Sequence, residues 1–419
     1  MGADQVDVAV VGAGLAGLSA ARHLSAAGLH TVVLEAGDRI GGRVRTERMD
    51  GFTLDHGFQR LHTEYPAPAR ELDLTALDLR LFEPYLLVYA GGRRYRMVDP
   101  RRRPQDALQL WRAPVGSATD KARLALLLAR LAATPADRLL AGPESTTEQA
   151  LLGRGFSERM MEGLLRPWLS GLLGESALAT SSRYTDLTLR CASRGRYCLP
   201  AAGMDSIPRQ LAAGLPADTL RLGVRVTAVS ANEVRTDQGT LRTRATVVAT
   251  DPATAADLLP GLRRPGTHPV TTFYYAAEES PLGEATLLLD GEGRGPVANT
   301  TVVSDVAPEY APAERSLIAV TVVGHRGGDA TGLTELRART LLRLAVLYGL
   351  DTGRWQELTA YHVADALPAM EPPHNFRRPV RLVSGLYVCG DHRDSSSIQG
   401  ALASGRRASA AALADLGVG

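Results

Sequence analysis

A glycine-rich turn near the start of the chain constrains its fold more than any other feature. Gly12, Gly14 and Gly17 follow a short apolar run at residues 6–11 that is typical of a β-strand. A helical pattern over residues 15–27 comes next, and a second strand pattern follows before residue 35. A strand, a glycine turn, a helix and a strand within about 30 residues form the unit in which this glycine spacing binds a dinucleotide.

Each glycine of this turn has a mechanical role beside a diphosphate. Gly12 allows the tight turn, Gly14 lets the backbone approach the pyrophosphate, and Gly17 lets helix and strand pack closely. The helix N-terminus adds partial positive charge. Glu35, at the end of the second strand, is expected to accept hydrogen bonds from the adenosine ribose hydroxyls.

A second glycine turn follows directly, in the stretch EAGDRIGGR. Gly41 and Gly42 allow another close approach of the backbone, while Arg39 and Arg43 offer guanidinium groups to the diphosphate. The two turns together predict a complete diphosphate site.

Composition limits the class of protein and its partners. The 419 residues predict two or three globular units at about 150 residues per domain. Hydrophobic residues make up 45% and charged residues 22%, which is typical of a folded globular chain. The formal net charge of +2 provides no long-range field to attract nucleic acid, so a nucleic-acid partner is not expected.

The cysteines indicate a reducing compartment. Cys191, Cys198 and Cys389 form no C-x-x-C pair, so neither a zinc site nor a disulfide framework is predicted, and a cytoplasmic location is expected. The apolar run at residues 8–21 is glycine-rich and shorter than the roughly 18 residues that a membrane helix needs. We therefore interpret it as neither a signal peptide nor a membrane span.

The remainder of the chain changes character twice. Residues 66–197 are rich in Leu, Ala and Arg with helical periodicity, as at 121–133 and 160–173, and predict a mainly helical insert. Short strand patterns then return at residues 220–229 and 245–250. The next patterns predict an antiparallel sheet, at residues 270–277, 286–290, 297–303 and 316–323. A last strand pattern lies at residues 385–389. A helix is predicted over residues 397–416.

Several shorter motifs occur between and after these segments. They are LDHGFQ at residues 54–59, PAAGM at 200–204, RVTAV at 225–229, VVATDP at 247–252 and GDHRDSSSIQGALASG at 390–405. Together with the turns at residues 12–43, they make the chain resemble the flavin-containing amine oxidase superfamily, which also includes phytoene desaturases and protoporphyrinogen oxidases. The resemblance covers nearly the whole chain, and the first and last motifs are its most specific parts.

The resemblance implies an α/β fold with two domains. One is a Rossmann-type FAD-binding domain, like that of p-hydroxybenzoate hydroxylase, in three parts at residues 1–65, 198–260 and 366–419. The other is an α+β substrate domain formed by the helical insert at 66–197 and the antiparallel sheet at 261–365.

The resemblance also implies roles in binding FAD. Val226 would contact the adenine through its backbone, and Asp391 would hydrogen-bond a ribityl or phosphate oxygen. Residues 398–401 would place a helix N-terminus at the pyrimidine edge of the flavin, where positive charge stabilises the reduced form. The full set of expected cofactor-binding residues is Gly12, Gly14, Leu15, Ala16, Gly17, Glu35, Ala36, Arg39, Gly41, Gly42, Arg43, Gly57, Phe58, Gln59, Val226, Thr250, Gly390, Asp391, Ser397, Ile398, Gln399 and Ala401.

Two departures bear on the substrate. Many members of the amine-oxidising branch place a lysine near flavin N5 and an aromatic residue between the GD motif and the last helix. The single lysine here, Lys121, lies in the helical insert, and residues 392–397 contain only His, Arg, Asp and Ser. This weakens amine oxidation without excluding it. Residues 361–386, where some amine oxidases attach flavin, hold no cysteine, so the FAD is expected to be noncovalent.

Candidates for acid–base chemistry are few. His56 beside Asp55 and His392 beside Asp391 lie nearest to the expected flavin. Tyr361 is a further candidate, and the alternative for all three is an ordinary core or surface role. The glycines of GEGRGP at residues 291–296 precede a strand and are interpreted as a hairpin turn, not a second nucleotide site. No metal-binding or serine-nucleophile motif is found.

The sequence as a whole predicts an FAD-dependent oxidoreductase that moves a hydride from a largely apolar small molecule to flavin N5, with oxygen or a quinone-like molecule as electron acceptor. The alternatives are a flavin amine oxidase, a redox-neutral FAD-dependent isomerase, and a noncatalytic flavoprotein. The helical run at residues 121–133 is interpreted as a buried helix, with peripheral membrane contact as its alternative.

Overall fold

A computed structural model describes residues 5–99, 101–325, 327 and 330–418. In chain order, its strands are β1 (Gln5–Val11), β2 (Thr31–Glu35), β3 (Thr46–Met49), β4 (Phe52–Asp55), β5 (Leu61–His62), β6 (Leu79–Leu81), β7 (Tyr85–Ala90), β8 (Arg93–Val98), β9 (Tyr197–Pro200), β10 (Leu220–Leu222), β11 (Val226–Val229), β12 (Glu233–Thr236), β13 (Gly239–Val248), β14 (Thr267–Ala277), β15 (Leu287–Asp290), β16 (Val297–Val302), β17 (Ser316–Val323), β18 (Gln356–Pro368), β19 (Arg381–Val383) and β20 (Leu386–Val388).

The helices alternate with these strands and cluster between residues 107 and 194. They are α1 (Leu15–Ala26), α2 (Pro66–Glu71), α3 (Ala107–Arg112), α4 (Ala118–Ala133), α5 (Ala136–Leu140), α6 (Thr147–Gly153), α7 (Glu158–Met160), α8 (Arg166–Leu173), α9 (Ser182–Arg194), α10 (Ser206–Ala213), α11 (Pro252–Leu258), α12 (Val303–Val306), α13 (Ala330–Tyr348) and α14 (Ile398–Leu416). A π-helical turn at Met161–Leu165 joins α7 to α8.

One sheet is built around parallel strands in the order β10, β2, β1, β13 and β20. The hairpin β11–β12 pairs with the first half of β13, and β19 pairs with β20. Val8 and Val10 face a core shared with α1 and α14, whereas Val6, Ala9 and Val11 face the opposite core. Because both faces are covered, β1 is an almost continuous apolar run.

A second sheet has the order β18, β14, β17, β16, β15, β7 and β8. Its pairs are antiparallel except β15 with β7, which run parallel. Side chains alternate along β14: Phe273 and Tyr275 point into the core formed with the helices, while Tyr274 and Ala276 point into the core shared with α1 and the first sheet. This sheet therefore separates the helical layer from the first sheet.

The structure confirms most predicted elements within a few residues and adds several. The hairpin β7–β8 lies inside the stretch predicted to be mainly helical, and it turns at Gly91 and Gly92, whose φ angles are +58° and +77°. Because leucine and arginine dominate this stretch, the alternation of apolar and polar residues that is typical of a strand was not recognised there. The helix α13 and the strand β18 are among the other elements that were not predicted. The GEGRGP turn is confirmed as the connection between the antiparallel strands β15 and β16.

None of the helices in the described parts of the chain combines the length and apolar character needed to cross a bilayer.

Candidate functional site

The glycine turn between β1 and α1 leaves open space in front of the helix. Gly12 has φ +103°, and a Cβ atom there would lie 3.0 Å from the carbonyl oxygen of Ala249. At Gly17, a Cβ atom would lie 2.0 Å from the carbonyl oxygen of Gly12, so helix and strand could not pack this closely. At Gly14 it would meet nothing within 4 Å. Gly12 and Gly17 are therefore needed for packing, and Gly14 borders room for a ligand.

The N-terminus of α1 faces this space without a side-chain cap. Its N-cap residue is Gly14, and the first turn, which includes Leu15, Ala16 and Gly17, contains no acidic residue. The first N–H groups of a helix have no partner within the helix and concentrate partial positive charge. An uncapped N-terminus beside an open cradle fits the diphosphate of a dinucleotide.

Glu35 is fixed at the same turn. Its Oε2 accepts a hydrogen bond from the N–H of Ala13, and its Oε1 accepts one from the N–H of Gly37, both at 2.8 Å. Each carboxylate oxygen keeps lone-pair capacity for a hydroxyl group. The N–H of Val224 donates to the carbonyl oxygen of Glu35, which brings the start of β11, and with it Val226, to this end of the sheet.

The second turn lies directly against the first. The N–H of Gly41 donates to the carbonyl oxygen of Ala13 at 2.8 Å, and Gly41 has φ +111°. A Cβ atom on Gly42 would lie 3.3 Å from the Cα atom of Gly14. The glycine turns therefore form one surface, as the sequence predicts. Arg39 is half exposed, and its guanidinium pairs with the exposed carboxylate of Asp38.

Arg43 joins this surface to the C-terminal motif. Its Nη2 lies 2.6 Å from Oδ1 of Asp391, and its Nη1 donates to the carbonyl oxygen of Ala366 at 2.7 Å. Burial lowers the pKa of Arg43, but the charge of Asp391 and its hydrogen bond outweigh burial and raise that pKa overall. Two residues that lie far apart in the sequence thus meet beside the cradle, with the Asp391 carboxylate buried.

The C-terminal motif also sets up a second helix N-terminus. Gly390 has φ +142°, and its N–H donates to Oγ of Ser404. Ser397 caps α14 by accepting a hydrogen bond from the N–H of Gly400, and no acidic residue lies in the first turn, which includes Ile398 and Ala401. The side chain of Gln399 instead accepts a hydrogen bond from the N–H of Ala67 at 2.6 Å.

The residues that follow β4 connect the cradle to the second sheet. Gly57 has φ +82°, and the N–H of Phe58 donates to Oγ1 of Thr272 on β14 at 3.1 Å. The side-chain amide of Gln59 donates to the carbonyl oxygen of Arg43 at 2.8 Å. Two predicted cofactor residues remain, Ala36 and Thr250. Ala36 follows Glu35 at the end of β2, and Thr250 follows β13 beside the Gly12 turn.

Two of the three predicted acid–base candidates meet through a residue that the sequence did not point out. The phenol of Tyr361 donates to Oε2 of Glu47 at 2.8 Å, and the ring of His56 stacks on that of Tyr361 with centroids 4.2 Å apart. Nε2 of His56 lies 2.8 Å from Oε1 of Glu47, outside a good hydrogen-bond direction. The hydrogen bond from Tyr361 lowers the pKa of Glu47, and the nearby imidazole of His56 acts in the same direction. No motif in the sequence points to Glu47, which lies in the short hairpin β3–β4.

The third candidate, His392, stands apart from this cluster. Its ring is buried, and neither nitrogen has a hydrogen-bond partner in the described structure. Burial lowers the pKa of His392 to about 4, although the neighbouring Asp391 charge acts in the opposite direction. With this pKa, the buried ring of His392 is neutral at neutral pH.

Asp55 in the LDHGFQ motif holds three segments together. Its carboxylate accepts hydrogen bonds from the hydroxyl of Thr46, the N–H of Met204 and the phenol of Tyr310. The side chain is 2% exposed, and burial raises the pKa of Asp55 to about 6. The phenol of Tyr274 donates to its backbone carbonyl. This aspartate explains why the LDHGFQ and PAAGM motifs occur together.

Lys121 has a structural role far from the cradle. It is buried in α4, and its Nζ donates to the carbonyl oxygens of Trp111 and Ala113 at 3.1 and 2.6 Å. It therefore closes the C-terminus of α3 against α4. The strand of the second sheet that reaches the cradle is β14, and there Thr272, not a lysine, contacts Phe58.

Comparison with known sequences identifies the family. A family model described as flavin containing amine oxidoreductase matches residues 15–413. Protoporphyrinogen oxidase 2 of Arabidopsis thaliana is 30% identical over 169 residues, which are 39% of this chain and 32% of that protein. Putrescine oxidase of Kocuria rosea is 52% identical over 71 residues, 16% of this chain and 15% of that protein. The matched segments thus span a third or less of these relatives.

Comparison with solved structures identifies the fold. Wild-type putrescine oxidase bound to putrescine has a TM-score of 0.71 at 20% identity, with 98% of this chain and 99% of that chain covered. An oxidoreductase from Methanosarcina mazei has a TM-score of 0.74 at 17% identity, with 96% and 99% covered. Both share the mixed α/β fold of this chain. Because the family model spans nearly all of the sequence, the chain belongs to the flavin-containing amine oxidoreductase family.

Proposed function

We propose that the protein binds FAD noncovalently and oxidises a largely apolar small molecule by removing a hydride from a C–H bond. The observation that carries this proposal is the open space at Gly14, in front of the uncapped N-terminus of α1 and beside the fixed carboxylate of Glu35. A cradle of backbone N–H groups next to a ribose-binding carboxylate fits the ADP half of FAD.

Other residues of the site fit the remaining parts of FAD. Arg43, with the glycines of the second turn, is placed to bind the diphosphate, and Asp391 beside it would take a ribityl or phosphate oxygen. The N-terminus of α14 would face the pyrimidine edge of the flavin, and its partial positive charge would stabilise negative charge there. Val226 would contact the adenine.

We infer a Rossmann-type FAD-binding domain, of the p-hydroxybenzoate hydroxylase kind, made of residues 1–65, 198–260 and 366–419. In support, the strands of the first sheet come from these three segments. The second sheet draws β7 and β8 from residues 66–197 and most of its remaining strands from residues 261–365, which we assign to the substrate domain.

The cofactor supplies the redox chemistry and the chain supplies the surroundings. Bound FAD provides a hydride acceptor that oxygen or a quinone-like molecule can reoxidise. The buried aromatic and aliphatic side chains on the cradle-facing side of β14 and β17, including Tyr274 and Leu317, exclude water from this region. His56, Glu47 and Tyr361 form an acid–base cluster, and the ring of Tyr361 lies 6.1 Å from that of Tyr274.

The cysteines support noncovalent attachment. All three are free and buried, and burial raises the pKa of Cys389, the one next to Gly390, to about 12. The pKa of Cys191 is raised to about 11 for the same main reason. At neutral pH these thiols stay protonated, and only the thiolate is a good nucleophile.

An absorbance spectrum of the purified protein, taken before and after acid precipitation, tests the cofactor. We expect two flavin bands that move into the supernatant as FAD, and anaerobic bleaching of these bands by apolar substrates. A colourless protein that does not bind added FAD contradicts the proposal. Covalent flavin in the pellet contradicts only its noncovalent part.

Amine oxidation is the second candidate. The identity with putrescine oxidase from Kocuria rosea and the shared fold favour it, whereas the position of Lys121 disfavours it. Release of hydrogen peroxide from a panel of amines would identify this activity. A product with the same mass as the substrate would identify the redox-neutral isomerase instead, and a bound flavin that dithionite does not reduce would identify a noncatalytic protein.

The structure also bears on peripheral membrane contact through α4. Leu124, Leu127 and Leu131 of this helix pack into the core, and only Leu126, at 71% exposure, projects outward. A single outward leucine buries little apolar area in a bilayer. The packing supports a buried helix over a membrane-binding one.

A further inference from the structure

An open cleft lies between the helical insert and the loop that leads to β19. It has a volume of about 480 Å³ and is lined by the end of α5, the start of α9 and the loop at residues 373–377. Pockets that bind small molecules measure about 300–1,000 Å³, so the cleft is large enough for one. The expected cofactor-binding residues do not line it, so the cleft is separate from the cradle.

The charges that line the cleft are balanced in pairs. Nη1 of Arg183 lies 3.3 Å from Oε2 of Glu144. At the rim, Nη2 of Arg377 lies 2.9 Å from Oδ1 of Asp137. Burial lowers the pKa of His374, so this ring is neutral at neutral pH. Because a buried charge is costly unless it is paired, a cleft with balanced walls favours a neutral ligand over an amine or a carboxylate.

The walls combine apolar surface with hydrogen-bond donors. Oε1 of Glu144 already accepts the N–H of His374, and its Oε2 faces Arg183, so this carboxylate is engaged within the protein. The amide oxygen of Asn375 accepts the N–H of Arg377, which leaves its NH₂ group as a donor. The apolar part of the wall consists of Leu140, Pro373 and Phe376. A flat apolar ring that carries carbonyl oxygens matches both parts of the wall.

One layer of side chains separates the cleft from the proposed flavin site. The ring of Phe376 stacks on that of Tyr184 with centroids 6.4 Å apart. The phenol of Tyr184 reaches the hydroxyl of Ser397, which is the N-cap of α14. Beside them, Nε2 of His374 donates to the carbonyl oxygen of Asp394 at 3.0 Å. The N-terminus of α14 is the end that we propose to face the flavin, so the cleft lies directly behind it.

We propose that this cleft binds a quinone, which accepts the electrons of reduced FAD. The statement rests on the proposed function and narrows its electron acceptor. Two electrons pass from the reduced flavin through the layer of Phe376 and Tyr184 to the quinone. FADH⁻, the quinone and one proton from water give FAD and the hydroquinone, in which both C=O groups have become C–OH groups. Electron transfer needs proximity and no direct contact, so one intervening layer is compatible with it.

Calorimetric titration of the oxidised, FAD-loaded protein with duroquinone measures binding without turnover. Ala141 is exposed and lines the cleft, so the indole of Ala141→Trp occupies part of it, and we expect binding to weaken about 10-fold. Asn375→Ala removes one donor and should weaken binding a few-fold. Ala133→Trp places the same indole on an exposed alanine at the end of α4, outside the cleft, and should leave binding unchanged.

Reoxidation of the photoreduced, FAD-loaded protein tests the electron transfer, with flavin absorbance in a stopped-flow instrument as readout. With duroquinone in the absence of oxygen, the rate should reach a plateau at high concentration, because the quinone binds before it is reduced. At low concentration, Ala141→Trp should slow this reaction about 10-fold, in line with the weaker binding. With oxygen, the wild type and the variant should react at the same rate, because so small a molecule does not need the cleft.

The possible results separate this proposal from the proposed function. A protein that binds no FAD contradicts the proposed function, and this proposal with it. An FAD-loaded protein that does not bind duroquinone, or binds it equally well after Ala141→Trp and Asn375→Ala, overturns the cleft alone. Binding without reoxidation overturns the acceptor role. If Ala141→Trp slows the reactions with oxygen and duroquinone equally, the cleft is a general passage to the flavin, and the acceptor site is overturned. Should Ala141→Trp not fold, Asn375→Ala, at an exposed loop residue, decides the same points.

Discussion

The glycine turn before α1 and the cluster of His56, Glu47 and Tyr361 are built in different ways. In the turn, the requirement is the absence of side chains: a single Cβ atom on Gly17 would clash with the backbone of Gly12. In the cluster, the backbone is strand or loop, and three side chains from two distant segments contact one another. The cradle is thus defined by local backbone, and the cluster by packing between segments that lie far apart in the sequence.

The difference extends to how each region tolerates change. A backbone cradle cannot adjust, because the clashing atoms belong to the main chain on both sides. A side-chain cluster can exchange one donor for another while the strands β3 and β4 stay paired. We therefore expect substitutions in the turn to affect folding or binding of the proposed FAD, and substitutions in the cluster to leave the fold intact.

The largest effect is expected for Gly17→Ala. The new methyl group would lie 2.0 Å from the carbonyl oxygen of Gly12, so α1 must move away from β1. We expect a loss of about 3–5 kcal/mol in the free energy of unfolding, together with loss of bound FAD. Urea unfolding followed by circular dichroism measures it. Gly153→Ala, at the end of α6 with nothing within 4 Å, is the matched control. Wild-type stability of Gly17→Ala contradicts the packing argument.

Gly14→Ala should separate folding from cofactor binding. Its methyl group meets no protein atom within 4 Å, so the apoprotein should lose about 1 kcal/mol or less through the poorer N-cap. FAD affinity should fall about 100-fold, because the methyl group occupies the space proposed for the diphosphate. Titration of the apoprotein with FAD, read by quenching of flavin fluorescence, gives the dissociation constant. Unchanged affinity would place the diphosphate elsewhere.

Asp55→Asn should change how stability depends on pH. The pKa of Asp55 is raised to about 6 in the folded protein, so the folded state keeps this proton longer than the unfolded state does. The stabilisation from Asp55 is therefore complete below about pH 4 and is lost as the pH rises through 6. Relative to Asp55→Asn, the wild type should lose about 2–3 kcal/mol over that range. Parallel urea titrations measure the free energy of unfolding of the wild type minus that of Asp55→Asn. This quantity should fall as the pH rises from 4 to 6, and a rise over that range contradicts the assignment.

Lys121→Met should have the smallest effect and bears on the helical insert alone. It removes two hydrogen bonds to the carbonyl oxygens at the end of α3, and we expect a loss of about 1–2 kcal/mol in stability. FAD content and the rate of flavin reoxidation by oxygen should stay unchanged. A slower reoxidation with normal FAD content would mean that this lysine acts at the flavin after all.

Part of the site could be predicted because its constraints are local in sequence. Gly12, Gly14 and Gly17 with Glu35 form a unit of fixed spacing, and the structure places the glycines at the turn between β1 and α1 and Glu35 at the end of β2. The hairpin β7–β8 and the strand β18 escaped prediction. The first lies in an arginine- and leucine-rich context, and the second is half-exposed without clear alternation.

Contacts between distant segments could not be predicted in this way. His56 and Tyr361 were separate candidates, and nothing in their spacing indicates that Glu47 joins them. The pairing of Arg43 with Asp391 likewise depends on how α14 packs on the first sheet. Such contacts depend on which side chains folding brings together, and the spacing of residues in the sequence does not show this.

The sequence by itself determined the family, the strand–glycine–helix cradle and the expectation of a dissociable flavin, because these follow from residue types at fixed short spacings. Only the tertiary structure placed Lys121 against the end of α3, buried the ring of His392 and joined His56 to Tyr361 through Glu47. The physical reason is that charge and hydrogen-bonding capacity matter only relative to the groups that folding brings near, and those groups come from remote parts of the chain.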